Sequence, residues 1–415
     1  MELKYYKLND DYLFSYYDID NLEKIPESEA KNSEGIIYFI SKFNPINSRR
    51  GFCLSSPQHM FIKEEGIDLL RLGYSDINVP CWVEERINKN EIKSINIMYP
   101  YWKKELVKWP NKKWKLNLLA LGDVGSTLLI GLVLLGGDVI SEIGIYDRNI
   151  DRLKRWEYEL NQIKRPFDEL AFPKVVTLSY DELFDCDMFI FCASKGIPPV
   201  GSEVSDVRMA QYESNKEIVA EYARLARTMN FNGIFAVVSD PVDLLCKVTF
   251  LESNKNDTGE YDFNGLGANQ IIGYGLGVMN ARAAFYAEKS EETKHYLKEG
   301  RVFGPHGDGL IVADSIKNYS EELSNYLTEK AINANKEIRA FGFKPFIAPS
   351  LSSGALSIIA TIKGDYFYGS TYMGNAYMGS KCRLTQSGIQ VESLNLPENL
   401  YKKIKLSYER LVSII

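Results

Sequence analysis

The chain has 415 residues, 45% hydrophobic and 25% charged, which is length and apolar content enough for a sizeable core and two or three domains. A formal net charge of −6 and a pI near 5.5 leave no basic excess, which argues against nucleic acid or an anionic membrane as partner and for a small molecule. The most apolar stretch, residues 128–136, is far shorter than the ~20 residues of a spanning helix, and the N-terminus lacks the charged-then-apolar order of a secretory signal, so a cytoplasmic protein is expected.

Residues 1–113 mix short apolar runs, GIIYFISKF and INIMYPYW, with charged pieces. No motif stands out, and the segment reads as a small α+β extension packed on the main body, with WPNKKW (109–114) as its exit linker. From residue 114 to about 260 the pattern changes to short apolar runs spaced for intervening helices: LNLLAL (116–121), SEIGIYD (141–147), KVVTL (174–178), DMFIFCA (187–193) and GIFAVVSD (233–240). This alternation predicts βαβ units and a doubly wound, mainly parallel sheet of the Rossmann type. Beyond it, residues 261–415 read as a second, α+β domain. A long helix is expected over 321–341, an antiparallel sheet in GDYFYGSTYMGNAYMGSKCRLTQSGI (364–389), and a last helix from Pro397. The six cysteines form no C-x-x-C pair and there is no His-rich tract, so reduced, mostly buried thiols and no metal site are expected.

The first apolar strand runs into Gly122-Asp123-Val124-Gly125 and then into the helix LLIGLVLL. Strand, glycine turn and helix in that order suit a dinucleotide, whose pyrophosphate sits on free N–H groups at a helix N-terminus where glycine permits close approach. Ala120 stands where such a fingerprint usually has its first glycine. Asp147, 22 residues after Gly125 at the end of the second strand, has the position of the carboxylate that binds the adenosine ribose hydroxyls and repels a 2′-phosphate. NAD is therefore expected over NADP, with Arg148 as a softening influence and helix capping as the alternative role of Asp147.

The order of motifs over residues 115–415 resembles the lactate/malate dehydrogenase family. YDRNIDRLKRWEYEL (146–160), FCASKGIPPVG (191–201), VVSDPVDLL (237–245), GPHGDG (304–309), GALSIIATIKG and RLTQSGI carry the resemblance. It implies hydride transfer between NAD and a small 2-hydroxy or 2-oxo acid, and assembly as a homodimer or homotetramer. Such chemistry needs an acid/base for the hydroxyl, a cation for the carboxylate and a polariser for the carbonyl oxygen. By match, His306 is the acid/base, Arg282 grips the carboxylate as a planar fork, and Arg208 is the loop arginine that polarises the carbonyl. The resemblance also assigns Ala193, Ser194 and Val238 to the cofactor site.

Three departures bear on mechanism. Met279 stands three residues before Arg282, where the family has the aspartate that orients its histidine. Asp240 stands where the family has an asparagine; the expectation is that Asp240 replaces the missing aspartate by pairing with His306 from the opposite side. Ile197, followed by two prolines, occupies the position of the extra arginine of malate dehydrogenases, which disfavours malate and oxaloacetate. Met279 and Asp240 also frame the rival reading, a non-catalytic NAD-binding relative with a regulatory or binding role.

Overall fold

The computed structural model describes residues 2–73, 78–107, 109, 112–168, 172–195 and 207–415, the side chains of residues 207, 208 and 210 excepted. The N-terminal segment folds on a six-stranded mixed sheet of order β3-β1-β2-β4-β6-β5. Its strands are β1 (Lys4–Leu8), β2 (Asp11–Ser15), β3 (Glu23–Ile25), β4 (Ile37–Ser41), β5 (Gly51–Cys53) and β6 (Ile92–Asn96), accompanied by helices α1 (Glu27–Lys31) and α2 (Cys81–Asn88). Phe14, Phe39, Trp82, Val83 and Ile92 fill one core of this sheet, and Tyr6, Leu13, Tyr38, Ile40 and Ile95 another.

Trp109 stacks on Trp114, ring centroids 5.4 Å apart. There the second sheet begins: β7 (Trp114–Leu119), β8 (Ile140–Tyr146), β9 (Lys174–Thr177), β10 (Met188–Phe191), β11 (Ile234–Val237) and β12 (Ile271–Gly273). These strands are parallel throughout, in the order β12-β11-β10-β7-β8-β9, the strand order of a doubly wound dinucleotide-binding sheet. All four residues of β10 and of β11 are buried, because helices cover both faces of a parallel sheet and its central strands read as unbroken apolar runs. These helices are α3 (Asp123–Leu135), α4 (Ile150–Leu160), α5 (Val207–Thr228) and α6 (Val242–Ser253). The sequence shows five of the six strands; β12 has three residues, too few for a pattern.

The sheet then continues past residue 260. An antiparallel meander of β15 (Phe367–Tyr372), β16 (Tyr377–Thr385) and β17 (Gly388–Val391) joins it where Gly273 of β12 pairs with Ser370 of β15, giving nine strands in one sheet. Around it lie α7 (Leu276–Ala287), α8 (Tyr296–Glu299), the hairpin β13 (Arg301–Phe303) with β14 (Ile311–Ala313), α9 (Glu321–Ala340), α10 (Leu356–Lys363) and α11 (Glu398–Val412). In α9 the buried residues are Ser324, Leu327 and Ala331, one stripe at the three- and four-residue spacing of a helix face. The N-terminal segment also reaches this edge: Leu72 N–H donates to Leu394 O and Leu394 N–H to Leu70 O, each at 2.9 Å. Among the described residues no helix is long and apolar enough to cross a membrane, no group of three or more His, Cys, Asp or Glu could hold a metal ion, and every cysteine is a free thiol, with Cys81 exposed rather than buried.

Candidate active site

At the C-terminal ends of β7, β8 and β10 lies a cleft of about 1000 Å³, at the point where the strand order reverses and doubly wound sheets bind their ligands. Gly122, Asp123, Val124 and Gly125 line it, with Asp147, Ala193 and Ser194. A Cβ on Gly125 would lie 2.0 Å from Ala120 O, so this glycine is what lets α3 start against the end of β7. A Cβ on Gly122 would meet nothing within 4 Å; its freedom leaves room above the helix N-terminus. Ala120 adopts φ +74°, the left-handed region where glycine is at ease and alanine is not.

Asp147 accepts from Leu121 N at 2.8 Å, Asn149 N at 2.9 Å and Arg152 Nη1 at 3.1 Å. Burial acts to raise its pKa, but these donors outweigh it and hold the carboxyl below its ordinary value, so it is an anion at neutral pH. Glycine turn, open helix N-terminus, carboxylate and cleft volume together fit a dinucleotide. Val238 is not among the residues lining this cleft; it continues β11 through a 3.0 Å bond to Phe191 O and packs on the core.

A second group of residues converges beyond the ends of β11 and α7. His306 sits in the turn between β13 and β14, flanked by Gly304 and Gly307 at φ +94° and +125°. Its Nδ1 lies 2.9 Å from Asp240 Oδ1. The imidazole is 14% exposed and the carboxylate 45%. Gly275, just before α7, makes this approach possible, since a Cβ there would stand 3.0 Å from His306 Cβ. Ser353 pins the same turn, donating to Gly275 O and accepting from Val278 N, both at 2.8 Å.

Met279 and Arg282 project from α7 three residues apart, on one face. Arg282 Nη1 lies 3.5 Å from Met279 Sδ and its Nη2 donates to Asn335 Oδ1 of α9. Burial lowers the pKa of Arg282, and the nearby negative charge of Asp240 partly offsets that. So Asp240 stands against His306 and within the electrostatic reach of Arg282. Arg208 begins near the start of α5, and its side chain and residue 197 lie outside the described residues.

Three contributions escaped sequence reading. Asn215 of α5 is buried and ties the two groups together: its Oδ1 accepts from Lys195 N at 3.0 Å, and its Nδ2 donates to Asp240 O at 2.8 Å and lies 3.3 Å from Ser194 Oγ. Asn335 supports Arg282. Tyr146, Tyr180 and Tyr222 form an aromatic wall of the cleft, with neighbouring ring centroids 6.2 and 6.3 Å apart. Asn215 alone had a sequence signal, its spacing from Arg208. The other two histidines stand elsewhere: His295 bonds Asp314 at 2.9 Å, and His59 is buried in the N-terminal segment, where burial pushes its pKa down to about 4.

No family model matches the chain. Among curated proteins it is 23% identical to an L-lactate dehydrogenase of Borrelia hermsii over 331 residues, covering 73% of this chain and 98% of that one. It is 26% identical to an L-lactate dehydrogenase of Staphylococcus haemolyticus over 197 residues, covering 48% and 56%. Among solved structures it is similar to MGS-M5, a lactate dehydrogenase from a Medee basin deep-sea metagenome library (TM-score 0.59, 19% identity, 73% of this chain and 98% of that one). It is also similar to the minor L-lactate dehydrogenase of Enterococcus mundtii (TM-score 0.57, 18% identity, 73% and 97%).

Proposed function

The chain is a distant member of the lactate/malate dehydrogenase family, and from that premise we propose that it is an NAD-dependent oxidoreductase interconverting a small 2-hydroxy acid, such as lactate, and its 2-oxo acid. The observation that carries this reading is the 2.9 Å contact of His306 Nδ1 with Asp240 next to Arg282, in a chain where the orienting aspartate expected on α7 is Met279.

Bound NAD supplies the hydride acceptor or donor. The protein's residues do the rest. Arg282 receives the substrate carboxylate in a two-point fork, its guanidinium steadied by Asn335. Asp240 accepts the Nδ1–H of His306, which fixes the tautomer with Nε2 unprotonated and available to the substrate hydroxyl, and it stabilises the imidazolium once the proton has moved. Asn215 holds the backbone of Asp240 and of Lys195 in register. Arg208 is assigned the carbonyl-polarising role by resemblance. With Ile197 in place of a second arginine, malate and oxaloacetate are not the favoured substrates.

The test is a fluorescence titration of the protein with NADH and NADPH, followed by a panel of 2-oxo acids with absorbance of the reduced cofactor as readout. NADH binding with oxidation by one acid is expected, and His306→Ala should abolish turnover while keeping NADH affinity. Binding without turnover of any acid would favour the non-catalytic relative, the reading Met279 motivates. Absence of binding would remove the cofactor roles of Gly122, Gly125 and Asp147.

A further inference from the structure

Asp123 occupies the first turn of α3, one residue beyond Gly122, and so places a carboxylate at the mouth of the cleft just where a helix N-terminus would otherwise be purely attractive to an anion. Its partner is Lys344, whose Nζ stands 3.0 Å from Asp123 Oδ2 although the two are 221 residues apart in the chain. Lys344 belongs to the segment that follows α9, and it too lines the cleft. Both side chains are well exposed, 80% for the lysine and 51% for the aspartate.

An ion pair this exposed contributes little to stability, because water and salt screen it and two side chains lose freedom to hold it. It can therefore exchange partners at small cost. A lysine ammonium is a compact charge on a flexible stem, able to meet a phosphate oxygen without the planar geometry an arginine demands. We propose that Lys344 is a pyrophosphate-binding residue: with a dinucleotide in the cleft, its ammonium lies between Asp123 and the pyrophosphate, cancels the repulsion between those two anions, and holds the segment after α9 against the glycine turn. This rests on the cofactor reading above. It assigns Asp123 a negative role, that of a charge tolerated only while Lys344 covers it.

The experiment is a fluorescence titration with NADH of the wild type, Lys344→Met, Asp123→Asn and the double variant, at low and high salt, with adenosine measured by competition as the phosphate-free probe. Lys344→Met should weaken NADH binding about tenfold at low salt and by less at high salt. Asp123→Asn should bind no more weakly than wild type. The double variant should regain most of the loss, because the uncovered carboxylate is gone, and adenosine affinity should be the same in all four proteins. Equal NADH affinity in wild type and Lys344→Met would overturn the proposal, as would a double variant no better than Lys344→Met. Failure of the wild type to bind NADH would instead overturn the cofactor reading beneath it.

Discussion

His306 and Asp240 are 66 residues apart in sequence, and their pairing makes a definite claim about protons. If Asp240 fixes the tautomer and stabilises the imidazolium, Asp240→Asn should lower kcat about a hundredfold or more while leaving NADH affinity unchanged. Neutralising the comparable aspartate of a serine protease costs ~10⁴. Unchanged turnover in that variant would remove Asp240 from the mechanism. Adding Met279→Asp to Asp240→Asn moves the carboxylate to the α7 side of the imidazole, and steady-state kinetics should then recover about tenfold of the loss, since the role belongs to a carboxylate and not to one position. At this scale the sequence displayed the candidates and their anomalies together. That Asp240 is within bonding distance of His306 depends on Gly275 admitting the histidine, a contact between three separate chain segments that no local pattern encodes.

The turn between β7 and α3 shows how differently three small residues bear on one element. A Cβ on Gly125 would press into Ala120 O at 2.0 Å, so Gly125→Ala should lower Tm clearly and abolish NADH binding. A Cβ on Gly122 meets only open space; Gly122→Ala should therefore fold with a near-native Tm yet lose NADH affinity, because the methyl group takes space that a pyrophosphate needs. Ala120→Gly should stabilise the protein by about 1 kcal/mol, by relieving a left-handed alanine, measurable by urea unfolding. A lower stability of that variant would show that the turn is not strained. The long elements were legible: the expected helix over 321–341 is α9 at Glu321–Ala340 and the last is α11 at Glu398–Val412, because each repeats its apolar spacing over several turns. Strand β12 was not, and with it went the way the parallel strands and the meander share one sheet.

At the scale of the molecule, a buried charge cluster within the N-terminal segment hydrogen-bonds the main body at Gln270 and Asn269. Glu105 receives Arg50 at 2.8 Å and Lys93 at 2.7 Å, and Arg50 also reaches Gln270 at 2.6 Å. Burial acts to raise the pKa of Glu105, but the two cations overcome it and bring it down to about 2. Among the described residues Glu65 pairs with Arg49 alone, at 2.6 Å, and there burial prevails and its pKa is raised. Since the folded pKa of Glu105 is depressed, its contribution to stability is complete above the ordinary carboxylate range and fades as pH falls toward 2. Glu105→Gln should thus cost about 3 kcal/mol near pH 7, where it leaves two buried cations without their anion. The gap from wild type in urea unfolding should narrow at pH 3. A gap independent of pH would mean that packing, not charge, is lost. A chain lacking residues 1–113 should also be less stable than the whole, because it bares the Leu394 backbone and leaves Gln270 without Arg50.

The sequence by itself determined the class of fold, through apolar periods that persist wherever an element is long enough to repeat them, and it marked His306, Arg282, Gly122, Gly125 and Asp147 through the residues flanking each. The tertiary structure decided which of these meet: Asp240 with His306, Asn335 with Arg282, Lys344 with Asp123, and the N-terminal sheet with the edge of the second. The physical reason is one of range. Backbone geometry and side-chain period act over a few residues and are written locally. Bonds between segments tens to hundreds of residues apart exist only once burial of the core has brought those segments together.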